Sequence, residues 1–398
     1  MHPVDDIRGE SSDLLAGKRI VLGITGSIAA VNCFNLARDL IRHGAQVEIV
    51  MTQEATRLIT PHSMEFATGK PPITQIGGGV EHVELCGQRE GRADLLLIAP
   101  CTANTISKIA VGIDDTPVTT MATTAIGTGI PVIIAPAMHG SMFDHPILQR
   151  NLDSLEEIGI EIVRPRISGG KAKIATNEEL VSRAIRRLGR LDLEGKSFLI
   201  IGGSSEEPID GMRVITNKGT GETATELAIA AHLRGAHVEL WMGRHSCQIP
   251  EFIPVREFRR LDDLEGMIGE IDQDVVMVPA ALSDYAPDEA KGKISSDEEG
   301  MALQLRSLPK ILPRLKGNRI LVGFKAERSI TDEELLNRAT RRLEDYGLDM
   351  IVANDLDNVE RGKTKVLIIS SAGEPLMASG SKRQVAETIL DEVGKVLR

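Results

Sequence analysis

Cysteine is scarce. Cys33, Cys86, Cys101 and Cys247 are too few and too scattered for a disulfide scaffold, and no Cys-x-x-Cys or His-Glu-x-x-His spacing marks a metal site. Separate reduced thiols are the expectation. Aromatic residues are also few, one Trp, two Tyr and seven Phe among 398 residues, so Leu, Ile, Val, Ala and Met must build the cores. A basic surplus is missing as well: 46 Lys and Arg against 57 Asp and Glu leave a net charge of -11, which repels a phosphate backbone. No cluster of basic residues offsets it, which argues against a nucleic-acid binder. The longest apolar runs, Leu95 to Pro100 and Ile130 to Met138, fall short of the roughly 18 to 20 residues of a membrane helix, so no membrane partner is expected. Asp5, Asp6, Glu10 and Asp13 stand where a secretory leader would carry basic and then apolar residues, and a cytoplasmic location is the expectation.

What is present is ample material for packed cores, with 42% apolar and 26% charged residues. At roughly 150 residues per domain the length predicts two or three domains. Short β-branched runs alternate with helical spacing throughout. In the first half the pattern predicts strands at Arg19–Ile24, Gln46–Met51, Leu95–Ala99, Pro131–Ala135 and Ile160–Val163, with helices at Ala29–His43 and Glu178–Leu188. A charged, glycine-containing stretch from Gly189 to Lys196 follows, and the pattern restarts at Phe198. Strands are then expected at His237–Met242, Val275–Val278, Ile320–Phe324, Met350–Ala353 and Val366–Ile369. Helices are expected at Glu222–Arg234, Leu261–Glu270, Asp332–Tyr346 and Lys382–Leu397. The fold class is therefore α/β, two Rossmann-like open sheets, with domains at 1–190 and 191–398. Ligands of such sheets collect at the carboxyl ends of the strands, so the loops after Ile24, Met51, Ala99, Ala135, Ile201, Val278 and Phe324 are the places to look.

The loop Gly23-Ile24-Thr25-Gly26-Ser27-Ile28-Ala29 leads from a strand into a helix start, where free amides favour a phosphate. It is neither Gly-x-Gly-x-x-Gly nor a Walker sequence, which favours a mononucleotide over a dinucleotide. A tight turn capped by Ser27 is the structural alternative, and Thr52 either binds phosphate or caps the helix beginning at Gln53. Further along stand Ala99-Pro100-Cys101-Thr102-Ala103-Asn104 and Pro136-Ala137-Met138-His139-Gly140-Ser141-Met142. With these three loops in this order, Lys18 to Leu188 resembles the flavin-dependent cysteine decarboxylases, in the branch that acts on phosphopantothenoylcysteine. The resemblance implies a flavodoxin-like flavoprotein domain that binds FMN and forms trimers. It implies cofactor contacts at Gly26, Ser27, Ile28, Thr52, Ala99, Pro100, Thr102 and Asn104. It also makes His82, in His82-Val83-Glu84-Leu85, the catalytic base that takes the substrate thiol proton, a task suited to imidazole.

Two departures from the family pattern stand out. His139 occupies the place of an asparagine that meets the substrate carboxylate; an imidazole still donates one hydrogen bond, and His139 with Met138 is expected at the substrate. The stretch Arg166 to Ala175, where bacterial members carry a proton-donating cysteine, has none. Lys171 is the expected substrate contact there, and Lys171 or Lys173 the alternative acid. Cys101 is given no acid role.

In the second half, Gly202-Gly203-Ser204-Ser205-Glu206-Glu207-Pro208-Ile209-Asp210 leads to Arg213-Val214-Ile215-Thr216-Asn217. Ala281-Leu282-Ser283-Asp284, Lys293-Ile294-Ser295-Ser296, Gly323-Phe324-Lys325-Ala326-Glu327 and Ala353-Asn354-Asp355 follow in order. This half resembles the phosphopantothenate-cysteine ligases from Leu193 onward. The resemblance implies activation of the 4′-phosphopantothenate carboxylate as an acyl-nucleotide, with CTP the expected co-substrate and Mg²⁺ bridging the phosphates, before cysteine displaces the nucleotide. Lys293 is expected to neutralise polyphosphate charge, with Lys291 second to it. Asn217 is expected at the acyl-nucleotide and Arg213 as support of its loop. Backbone amides of Gly202, Gly203 and Ser204 are assigned to phosphate. Asp284 and Phe324 are expected at base or ribose, or else as a turn cap and a core aromatic. Dimers of this half and trimers of the first together imply a dodecamer. The alternatives are a ligase fused to an oxidative decarboxylase of peptidyl cysteines, and a non-catalytic flavin- and nucleotide-binding regulator.

Overall fold

The computed structural model describes residues 2–168, 171–290, 292–294, 301–355, 357, 363–371 and 373–397. The chain divides into two units, Met1–Gly189 and Arg190–Arg398. In the first, β1 (Arg19–Ile24), β2 (Gln46–Met51), β3 (Leu95–Cys101), β4 (Val132–Pro136) and β5 (Glu161–Ile162) form one parallel sheet in the order β2-β1-β3-β4-β5. This is the flavodoxin-like order. Ile20, Val21, Leu22 and Ile24 of β1 are all buried, as are all seven residues of β3, because helices cover both faces. The helix expected over Ala29–His43 opens as a 3₁₀ turn at Ile28–Asn32 and becomes α-helical over Cys33–Arg42. The third strand runs through Pro100 rather than stopping before it. A register shift between Ile98 and Cys101 relieves the ladder where the proline has no donor.

In the second unit, β6 (Ser197–Gly202), β7 (His237–Met242), β8 (Val255–Glu257), β9 (Val275–Val278), β10 (Ile320–Glu327), β11 (Met350–Asp355), β12 (Thr364–Ser370) and β13 (Leu376–Gly380) form one sheet. Its order is β8-β7-β6-β9-β10-β11-β12-β13, with all neighbours parallel except that β12 runs antiparallel to both β11 and β13. Strand periodicity sorts the core. Phe198 and Ile200 enter a cluster with Leu227, Ala231, Ile389 and Val393, from the helices Glu222–Leu233 and Lys382–Val396. Leu199 and Ile201 enter the opposite cluster with Leu261 and Leu264 of the helix Leu261–Met267 and Leu335 and Ala339 of Asp332–Asp345. The edge strands β8 and β13 escape the sequence pattern because their residues are largely exposed and supply no apolar run.

Arg234, itself buried, closes this unit. Its guanidinium bonds to Asp192 at 2.6 and 3.0 Å and lies 3.0 Å from Asp391, so the first residues of the unit are fastened to its last helix. Among the described residues no helix is long and apolar enough to cross a membrane.

Candidate functional sites

The strand order of the first sheet reverses between β1 and β3, which opens a crevice at their carboxyl ends. Gly26, Ser27 and Ile28 leave β1 there, and Ala99, Pro100, Thr102 and Asn104 end β3 and begin the helix Ala103–Ala110. Thr25 joins the two loops. Its hydroxyl donates to Pro100 O at 2.8 Å and accepts from Thr102 N at 3.0 Å, while its amide donates to Pro100 O at 3.2 Å. It is wholly buried. The sequence reading missed it; the available signal was a polar residue at the very end of an apolar run.

Cys33 Sγ donates to Ala99 O at 3.2 Å, and burial pushes its thiol up to about 12, so it stays a protonated donor. Burial likewise raises Cys101 above the ordinary thiol value, consistent with its having no acid role. Gly26 is set by close approach: an added Cβ would lie 2.6 Å from Glu54 Cβ.

Ser27 occupies the cap position of the 3₁₀ turn without making a side-chain cap bond, and Ile28 beside it is 73% exposed. The capping alternative is thus not realised at Ser27. No helix begins at Gln53: a 3₁₀ turn runs over Ala55–Arg57 with Glu54 at its cap position, and the Thr52 hydroxyl accepts from Ala55 N at 3.3 Å within the turn before it. Thr102 does cap its helix, its hydroxyl accepting from Thr105 N at 3.3 Å. Asn104 is exposed in the first turn of its helix.

His82 lies on the short helix Glu81–Cys86. Thr128 Oγ1 donates to Cys86 O at 2.7 Å and Ala93 N to Leu85 O at 2.8 Å, anchoring the helix end near the start of β3 and leaving His82 at the opposite end. Its Nδ1 is buried and has no hydrogen-bond partner among the described residues. The Ser27 side chain, which makes no cap bond at the start of the 3₁₀ turn, leaves its hydroxyl open to a ligand phosphate. Glu81 meanwhile is held below the ordinary glutamate value by its own and the Gly77 backbone amide.

Met138–His139 forms a short strand against Lys171–Lys173, which pairs in turn with Arg166–Ser168. Met138 stands opposite Ala172 and His139 opposite Lys171. The three expected substrate contacts therefore share one small sheet beyond β4. Gly169 and Gly170 of this hairpin lie outside the described residues.

The second sheet reverses its strand order between β6 and β9, and a cleft of about 600 Å³ opens there. Gly203, Asn217, Asp284 and Phe324 line it, as expected from the sequence, together with Lys218 and Lys310, which were not. Gly202 ends β6. Gly203 has φ +71°, and an added Cβ would lie 2.8 Å from Arg244 O. The expectation for the Ser204 amide needs correction: it already donates to Arg244 O at 2.9 Å. The Ser204 hydroxyl accepts from Gly219 N at 3.2 Å, so this buried residue holds the neighbouring loop and does not offer that amide to phosphate.

Asn217 Nδ2 donates to Ala281 O at 2.9 Å, and Lys310 forms an ion pair with Asp284 at the cleft. Phe324 is half-buried against the core cluster and also lines the cleft.

Arg213 and Lys293 belong to a neighbouring arrangement around Asp210. The Asp210 carboxylate accepts from the amides of Met212 at 2.8 Å, Ile294 at 3.1 Å and Arg213 at 2.8 Å, and from Arg213 Nη1 at 3.1 Å. These bonds, that from Met212 first, hold it below the ordinary aspartate value. Arg213 thereby supports the loop and reaches Ile294 O at 3.4 Å. Lys293 is exposed on the segment so anchored and is not among the residues lining the cleft. Lys291 and residues 295–300 lie outside the described residues. Among the described residues no group of three or more His, Cys, Asp or Glu side chains is arranged to hold a metal ion.

Residues 8–189 match the family described as flavoprotein, and residues 193–397 match the DNA/pantothenate metabolism flavoprotein C-terminal domain. The coenzyme A biosynthesis bifunctional protein CoaBC of Thermococcus kodakarensis is 44% identical over 408 residues, with all of both chains covered. The protein of the same name from Methanocaldococcus jannaschii is 36% identical over 406 residues, covering all of this chain and 98% of the relative. A crystal structure of the C-terminal domain of a CoaBC protein overlaps 52% of this chain and 98% of its own, at 29% identity and a TM-score of 0.44. With both domain families matched in order and relatives matched end to end, the chain belongs to the family of bifunctional coenzyme A biosynthesis proteins.

Proposed function

We propose that the second unit joins cysteine to 4′-phosphopantothenate with CTP and Mg²⁺, and that the first unit decarboxylates the product to 4′-phosphopantetheine with FMN. Membership in the family makes the chain a decarboxylase and ligase of coenzyme A biosynthesis. The proposal adds the cofactors, the order of steps and the residues. What carries it is the convergence of two separate motif sets at the strand-order reversals of two separate sheets.

In the first unit, Ser27 and the amides after it would hold the cofactor phosphate, with Thr102 and Asn104 on the other wall. FMN, when bound, supplies the two-electron acceptor for thiol oxidation. His82 takes the thiol proton as the thiol-bearing carbon is oxidised, the resulting thiocarbonyl lets the adjacent carboxylate leave as CO₂, and the enethiolate so formed takes back the two electrons together with a proton to become the saturated thiol. His139 donates a hydrogen bond to that carboxylate and Met138 packs beside it. Lys171, opposite His139 in register, contacts the substrate. In the second unit, Asn217 holds the acyl-nucleotide, Arg213 stiffens its loop, and Asp284 and Phe324 address ribose and base. Gly202 and Gly203 allow the chain to pass close to the phosphates. Lys293 completes charge neutralisation from the Asp210 loop. Trimers of the first unit and dimers of the second are part of the same proposal.

The test is incubation with phosphopantothenate, cysteine, Mg²⁺ and either CTP or ATP, with pyrophosphate release followed and each product identified by mass. Lys293→Gln should retain flavin-dependent turnover and lose amide formation. A product two hydrogens short of the saturated thiol would replace the complete decarboxylase with the oxidative one, and a colourless protein inert with either nucleotide would refute the proposal.

A further inference from the structure

We infer that Lys218 binds the triphosphate of the nucleotide, an assignment that rests on reading the second unit as a nucleotide-dependent ligase. Four lysines line the cleft: Lys218, Lys310, Lys325 and Lys382. Three of them already face carboxylates. Lys310 is paired with Asp284, Lys325 Nζ lies 3.1 Å from Glu327, and Lys382 is paired with Glu222. Among the described residues no carboxylate pairs with Lys218. An incoming polyanion meets each of the other three with a carboxylate's negative charge already beside it, whereas no such charge offsets that of Lys218 among the described residues.

The loop carrying Lys218 is held on both sides. Asn217 is bonded to Ala281 O at 2.9 Å and the Gly219 amide to Ser204 Oγ at 3.2 Å, so the lysine stem starts from a fixed point on the cleft wall. Lys218 is exposed, so its flexible four-carbon stem can bring the ammonium to a ligand in the cleft. The pairing of Lys382 with Glu222 serves the same end. Glu222 stands in the first turn of the helix Glu222–Leu233, where an unneutralised carboxylate would repel phosphate from the cleft. Lys293, on the segment that Asp210 anchors through the Ile294 amide, is not among the residues lining the cleft, whereas Lys218 is.

The test compares the full-length protein with its Lys218→Met and Lys218→Arg forms, measuring CTP affinity by calorimetry and cytidine affinity by displacement. Loss of one charge-assisted contact should weaken CTP binding by about tenfold to a hundredfold in Lys218→Met. Lys218→Arg should recover most of the affinity, and cytidine, which carries no phosphate, should bind all three forms alike. Unchanged CTP affinity in Lys218→Met would overturn the assignment, as would an equal loss for cytidine, which a merely structural role would produce. If the unaltered protein bound no CTP, the nucleotide reading of the cleft would itself be refuted, a failure distinguishable from the first two.

Discussion

Thr25→Val replaces a buried hydroxyl by a methyl of nearly equal volume and so removes hydrogen bonds with little change in packing. Two bonds go: the one that Thr102 N donates and the one that Pro100 O accepts. Pro100 O keeps the Thr25 amide at 3.2 Å, so its loss costs only about 0.5–1.5 kcal/mol. The Thr102 amide is left without its acceptor. That costs about 1–3 kcal/mol when fully buried, and the half-buried setting of Thr102 puts it near the lower end. The sum is about 2 kcal/mol. Because both bonds join the loops that wall the crevice, the first unit should unfold at lower urea, and flavin affinity should fall by up to about thirtyfold if the damage stays at the loops. Urea titration by circular dichroism gives the first quantity, and retention of flavin absorbance through dialysis the second. Thr25→Ser keeps both bonds and should stay within about 1 kcal/mol of the parent. A Thr25→Val protein that unfolds at the same urea concentration and keeps its flavin as tightly would refute this account of how the crevice is built.

His82→Asn should leave flavin binding intact while slowing anaerobic flavin reduction by substrate about a hundredfold or more, the ordinary worth of a positioned base. An unchanged reduction rate would remove His82 from the proton transfer. Asp210 has a carboxyl held below its ordinary value of 3.8, so its contribution is present above that value and is lost as pH falls through the lower folded-state value. Amide exchange at Met212 and Ile294 should therefore accelerate only in acid, and Asp210→Asn should abolish that acid-dependent step. Exchange that accelerates identically in both proteins would sink the linkage.

Where both faces of a sheet are covered, the apolar run and the strand coincide, and for that reason β1, β2, β7 and β9 have the limits that their side chains announce. The hairpins at Glu206–Pro208 with Val214–Thr216 and at Tyr285–Pro287 with Leu305–Ser307 were invisible, since three residues carry no usable period. The site residues divide similarly. Glycines and motif residues at strand ends were legible because the sheet geometry decides where such loops go. Thr25 was not, because its partners lie 75 and 77 positions away and meet it only through the parallel register that sets Gly23 against Ile98. Lys218 was likewise hidden, since its distinction depends on which carboxylates the other cleft lysines have found. Ser204 was misjudged for the same reason: only the tertiary contact with Arg244 shows that its amide is committed.

The guanidinium of Arg234 draws together Asp192 and Asp391, residues nearly two hundred positions apart, and Arg190 adds its own ion pair to Asp391. Entry and exit of the second unit are thus neighbours, the arrangement that tolerates circular permutation. A chain reordered to begin within an exposed loop, with its old ends spliced, would keep every strand of the sheet in place and would surrender only the order in which ribosomal synthesis delivers them.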